Sequence, residues 1–146
     1  MFKKIVAMVL CMVAFFTLAS FSVSANGGES SRTEGGVAKW SYISARDTRL
    51  SISSSGTATC TGSVTGYPGT TTKVEIYLYL QQYKNGAWST VSGGSWYQLF
   101  NSYKGTLQKT KSGLASGYQY RLKASYYAWS GSNSENVVAY SSTVSH

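Results

Sequence analysis

Residues 72–87, TKVEIYLYLQQYKNGA, decide the fold. Val74, Ile76, Leu78 and Leu80 are apolar and two apart, so an extended backbone sets all four on one side. Lys73, Glu75, Tyr77, Tyr79 and Gln81 fall on the other side. Asn85-Gly86 follows, a pair that tolerates the positive φ of a tight hairpin turn, and Trp88 opens the return strand. The spacing predicts a β-hairpin with one aliphatic face and one face of tyrosine and charge.

The pattern on either side of the hairpin is also strand. Residues 57–65 alternate, with Ala58, Cys60, Gly62 and Val64 on one side and Thr59, Thr61 and Ser63 on the other. Tyr67-Pro68-Gly69 places a proline at the second corner of a turn. Upstream, residues 40–45 and 49–53 read as two short strands, and Ser54-Ser55-Gly56 turns the chain. Downstream, Ser92-Gly93-Gly94-Ser95 ends the return arm, and residues 96–100 and 103–108 read as two more extended pieces. A polar loop over 130–136 then leads to a last strand at 137–142. No window keeps a helical period for three turns.

Leu114, Gly117 and Tyr120 carry the corner spacing found before the sixth strand of immunoglobulin-like and fibronectin type III domains, where the tyrosine hydroxyl bonds back to the turn backbone. The residues behind it alternate as a strand should. Tyr120, Leu122, Ala124 and Tyr126 lie inward, with Arg121, Lys123, Ser125 and Tyr127 outward. These observations predict an all-β fold, a single antiparallel β-sandwich of about seven strands, immunoglobulin- or fibronectin type III-like. A lipocalin-like barrel fits less well, because roughly 108 ordered residues are few for that closure and it leaves the corner unexplained.

The N-terminus reads differently. Lys3 and Lys4 precede an apolar run over 5–21, and Val23-Ser24-Ala25 supplies small residues before Asn26. This is the layout of a secretory signal peptide over 1–25, cleaved after Ala25, which makes the protein secreted and extracellular with no transmembrane segment in the mature form. Residues 26–38 hold four glycines, three charges and one valine, the composition of a flexible leader. The sandwich domain is expected over 39–146. Cleavage leaves Cys60 as the single cysteine, so no intramolecular disulfide can form and a monomer held by its core alone is expected. It also leaves 11 Lys and Arg against 5 Asp and Glu, a net charge of +6 that favours anionic partners. The charge is dispersed and no nucleic-acid motif is present, which argues against nucleic acid as a partner.

Catalysis has little material. His146 is the one histidine and lies at the end of the chain, where fraying is the expectation. Asp47, Glu75 and Glu135 sit on different predicted elements, too scattered for paired carboxylates. No His, Cys and Asp cluster suggests a metal, a nucleophile with its base, or a cofactor. Cys60 lies mid-strand on the apolar side, so its thiol is expected buried and protonated, opposite Leu122. The positive signal is aromatic: 12 Tyr and 4 Trp against 1 Phe after residue 25. Tyr77, Tyr79, Arg121, Lys123 and Tyr127 are expected to share one outward sheet face, where flat rings beside cations suit sugar rings or an anionic polymer.

Four stretches also carry a resemblance. Residues 55–64 (SGTATCTGSV), 73–76 (KVEI), 80–91 (LQQYKNGAWSTV) and 117–123 (GYQYRLK) resemble a family of small, uncharacterised proteins exported by Gram-positive bacteria. The likeness runs from Trp40 to the last strand, about three quarters of the chain, and Trp96 matches a tryptophan that follows the family's hairpin. It implies a secreted immunoglobulin- or fibronectin-like domain with Cys60 at a usual cysteine position. It implies no assigned activity and no catalytic residues. The expectation is therefore a non-catalytic binding or adhesion-type module for glycan or anionic cell-wall polymer. The alternative is a secreted effector or antimicrobial-type polypeptide, supported by the basic, tyrosine- and glycine-rich composition.

Overall fold

The computed structural model describes residues 40–146; the signal peptide and leader read at 1–25 and 26–38 lie outside the described residues. Eight strands follow in order: β1 (Ile43–Ile52), β2 (Ala58–Gly66), β3 (Lys73–Lys84), β4 (Ala87–Phe100), β5 (Lys104–Lys111), β6 (Gln119–Ser130), β7 (Asn133–Tyr140) and β8 (Val144–Ser145). Every pairing is antiparallel. One sheet runs β1-β2-β5. The other runs β4-β3-β6-β7, with β8 continuing along the far end of β6. The inner faces of the two sheets share one hydrophobic core, and the molecule is a β-sandwich.

The three central strands show why. In β2, β3 and β6 every second residue is buried, and Val74, Ile76, Leu78, Leu80, Leu122, Ala124 and Ala128 are fully so. Each buried valine, isoleucine or leucine among them stabilises by roughly 1.5–3 kcal/mol, and a one-residue slip would expose the whole set. Asn85 and Gly86 both take positive φ, 53° and 78°, and close β3 onto β4 in a two-residue turn.

Edge strands depart from the expected boundaries. Residues 40–45 and 49–53 are not two strands, because β1 runs unbroken through Arg46, Asp47 and Thr48, with an irregularity between Ile43 and Ala45. Polar residues interrupt the hydrophobic alternation there without interrupting the ladder. Thr48 instead meets a buried hydroxyl, that of Tyr126, at 2.6 Å. Residues 96–100 are likewise no separate strand. Both halves of β4 pair with β3, and residues 91–94 form a bulge between them. The predicted loop at 130–136 is a two-residue turn at Gly131-Ser132, and β7 starts at Asn133.

Two polar devices hold the ends of the sandwich. The Glu135 carboxylate on β7 accepts the backbone N–H groups of Ser41, Tyr42 and Ile43 at 3.1, 2.9 and 3.1 Å. At the opposite end His146, expected to fray, is pinned instead. Its N–H donates to the Tyr118 carbonyl at 3.0 Å, and its carbonyl accepts from Gly117 and Tyr118. The short β8 ladder explains the difference, since it carries the chain back along Gln119 and Tyr120.

Candidate functional site

The outer face of the five-stranded sheet is a set of rows fixed by register. Leu99, Glu75, Tyr127 and Asn136 form one row across β4, β3, β6 and β7. Tyr97, Tyr77, Ser125 and Val138 form the next, and Ser95, Tyr79, Lys123 and Tyr140 the third. Thr90, Gln81 and Arg121 follow, and then Trp88 beside Tyr83. Because side chains alternate across a strand, each of these stands on the side opposite the aliphatic core.

Tyr77, Tyr79, Arg121, Lys123 and Tyr127 accordingly lie on adjacent strands of one face. The rings of Tyr77 and Tyr127 meet edge-on with centroids 5.7 Å apart, and the Lys123 ammonium lies 6.0 Å from the Tyr79 ring. Arg121 is held away from these by other partners. Its guanidinium carbon stands 4.3 Å from the Trp88 ring centroid and 4.4 Å from that of Tyr140, and its Nε donates to Gln81 Oε1 at 2.9 Å.

Tyr77 is less free than its position in the sequence suggests. It packs at 4.6 Å on Tyr97, and its hydroxyl donates to Glu75 Oε2 at 3.2 Å. Partial desolvation, followed by the neighbouring Glu75 carboxylate, raises the pKa of that hydroxyl above the usual tyrosine value. The most open rings on this face are others: Tyr97 at 51 %, Tyr140 at 46 % and Tyr83 at 40 % exposure, beside Leu99 and Val138 at 42 % each. Sequence reasoning did not gather these. Tyr83 shares the parity of Tyr77 and Tyr79, which would have revealed it. Trp88 follows from Tyr83 across the Asn85-Gly86 turn, and their centroids lie 5.2 Å apart.

The face is flat and mostly neutral apart from its cations. Lys73 stands 4.3 Å over Trp129 at one end, while Glu75 is the one carboxylate in the rows. Asp47 lies on the other sheet, 2.6 Å from Arg49, and Glu135 is occupied at the N-terminal edge. Among the described residues no three His, Cys, Asp or Glu side chains gather into a metal-binding group, and no helix is long and apolar enough to cross a membrane.

The structural residues lie behind this face. Tyr120 is buried, and its hydroxyl donates to the Ala115 carbonyl at 2.7 Å while accepting from Gln82 Nε2 at 3.1 Å. Leu114 packs in the core, and Gly117 turns the corner with φ of 82°. Cys60 and Leu122 are fully buried in the shared core, and burial pushes the Cys60 thiol up to about 12. An array of rings and cations on a rigid sheet can stack and attract. It offers no paired acid and base. Compared with family models, curated proteins and solved structures, the chain matches none.

Proposed function

We propose that this is an exported, non-catalytic domain of the immunoglobulin or fibronectin type III kind that binds glycan or anionic wall polymer. The β1-β2-β5 and β4-β3-β6-β7 strand orders and the tyrosine corner support that lineage, and the resemblance to exported Gram-positive proteins supports the compartment. The observation that carries the binding role is the continuous outer face of Tyr83, Trp88, Tyr77, Tyr79, Tyr97 and Tyr140 interleaved with Arg121 and Lys123. Pyranose rings stack on aromatic faces, and cations draw anionic polymers. A flat face gives weak single contacts, on the order of micromolar to millimolar, that repetition along a polymer strengthens.

The test is a double substitution, Tyr77→Ser with Tyr79→Ser, assayed against peptidoglycan, teichoic acid and plant polysaccharides. Both side chains stand on the outer face, so the fold is expected to survive and binding to drop. Equal binding by parent and variant, or no binding by the parent to any of these polymers, overturns the proposal. Growth inhibition of neighbouring bacteria without polymer binding would favour the effector reading instead.

A further inference from the structure

We infer that Arg121 is a preorganised carboxylate receptor, and that the glycan this face takes is an acidic polysaccharide whose sugars carry uronate groups. The inference rests on the glycan-binding reading above and narrows its ligand class.

Arg121 is held on three sides. Trp88 from β4 and Tyr140 from β7 stand 4.3 and 4.4 Å from the guanidinium carbon, and Gln81 from β3 accepts its Nε–H at 2.9 Å. Arginine has five N–H donors, and this arrangement uses one of them. The four on the terminal nitrogens have no partner among the described residues. Among the described residues no carboxylate neutralises the group either. Asp47 pairs with Arg49 on the other sheet, Glu75 accepts from Tyr77, and Glu135 accepts three backbone N–H groups. A cation fixed in place by its neighbours, with its fork unused, loses little side-chain freedom when an anion arrives.

The surroundings choose among anions. The paired terminal nitrogens match the two oxygens of a planar carboxylate. Lys123 lies two residues along the same strand, about 7 Å away at strand spacing, and puts a second positive charge beside the first. Rings extend from this pair in both directions. Tyr79, Tyr77 and Tyr97 continue one way, and Trp88 and Tyr83 the other. A flexible polyol phosphate would satisfy the cations and leave the rings without a partner. A uronate polymer offers both a flat ring to stack and a carboxylate to chelate.

The experiment compares three probes on the purified protein by calorimetry: polygalacturonate, its fully methyl-esterified form, and polyglycerol-phosphate teichoic acid. The parent is expected to bind polygalacturonate about tenfold more tightly than the ester, the size of one charge-assisted hydrogen-bonded contact. Arg121→Lys retains the charge and removes the fork. It should weaken acid binding severalfold and leave the ester unchanged, whereas Tyr77→Ser with Tyr79→Ser should weaken both. Equal binding of acid and ester, an unaltered acid preference in a folded Arg121→Lys variant, or a preference for teichoic acid overturns the inference while leaving the wider binding role standing. Binding of none of the three, together with none of the neutral glycans, overturns both. Polygalacturonate and teichoic acid are both polyanions, so comparing them on the parent alone separates the fork and the rings from general charge attraction and decides the matter even if the variant does not fold.

Discussion

The Tyr126 hydroxyl stands 3.0 Å from the point where a β-carbon on residue 62 would lie, and residue 62 is glycine. β2 and β6 belong to opposite sheets, so this close approach sets the spacing of the layers at the centre of the core. The hydroxyl donates to the Asp47 carbonyl at 2.6 Å. Its single proton is then used, so the 2.6 Å contact with Thr48 has the threonine as donor. Gly62→Ala would also place its β-carbon 2.7 Å from a Leu78 methyl. Relief would have to break one of the hydroxyl's bonds or move a fully buried leucine. A loss of about 1–3 kcal/mol is expected, read from urea unfolding midpoints. An unchanged midpoint would mean that the sheets slide apart at little cost.

The corner offers a smaller and cleaner change. Tyr120→Phe keeps the buried ring and deletes a hydroxyl bonded to Ala115 and Gln82. The expected loss is on the order of 1 kcal/mol. A change within experimental error would show that residues 114–120 hold their shape without the hydroxyl.

Cys60 provides a test in pH. Burial holds its thiol up to about 12, while an unfolded cysteine ionises near about 8.5. The native state therefore keeps a proton that the unfolded state gives up, and stability falls as pH rises between these values. The slope reaches about 1.4 kcal/mol per pH unit once the unfolded thiol is ionised. Parent and Cys60→Ala should diverge in slope between about pH 8.5 and 10, below the tyrosine range. Parallel curves would contradict the burial of the thiol, as would rapid labelling of the native protein at neutral pH. Cys60→Ser puts a hydroxyl in an apolar place and should cost about 1–3 kcal/mol.

Glu135→Ala leaves three backbone donors without their acceptor. Ser41 can turn to water, but Tyr42 and Ile43 are partly or fully buried. About 1–3 kcal/mol should be lost, with residues 41–43 gaining fast amide exchange before the rest of β1. Uniform protection across β1 in the variant would sink the idea that this carboxylate fastens the strand.

How far the chain could be read depended on where each strand lies. β2, β3 and β6 are paired on both sides and buried on one face, so their alternation is visible in the letters. β1, β4 and β7 are edges. Their polar residues are satisfied by single long-range contacts, Thr48 on Tyr126 or Glu135 on the backbone, and such contacts leave no periodic trace. The same division governs the candidate site. The side on which Tyr77, Tyr79, Arg121, Lys123 and Tyr127 stand follows from parity against the aliphatic set. Tyr97 and Tyr140 depended on the length of the bulge at 91–94 and on the first residue of β7, which only the pairing determines.

Glu135 has a consequence in time as well as in space. It lies 93 residues beyond Tyr42, whose N–H it accepts. β1 can pair with β2 early, but the N–H groups of Ser41, Tyr42 and Ile43 can find this acceptor only after nearly all the remaining chain is present. Contacts of such separation are slow to form. Until then three amide donors at the head of β1 stay unclaimed while the Tyr42 carbonyl is already held by Thr71, and a protease acting during synthesis would find its handle there.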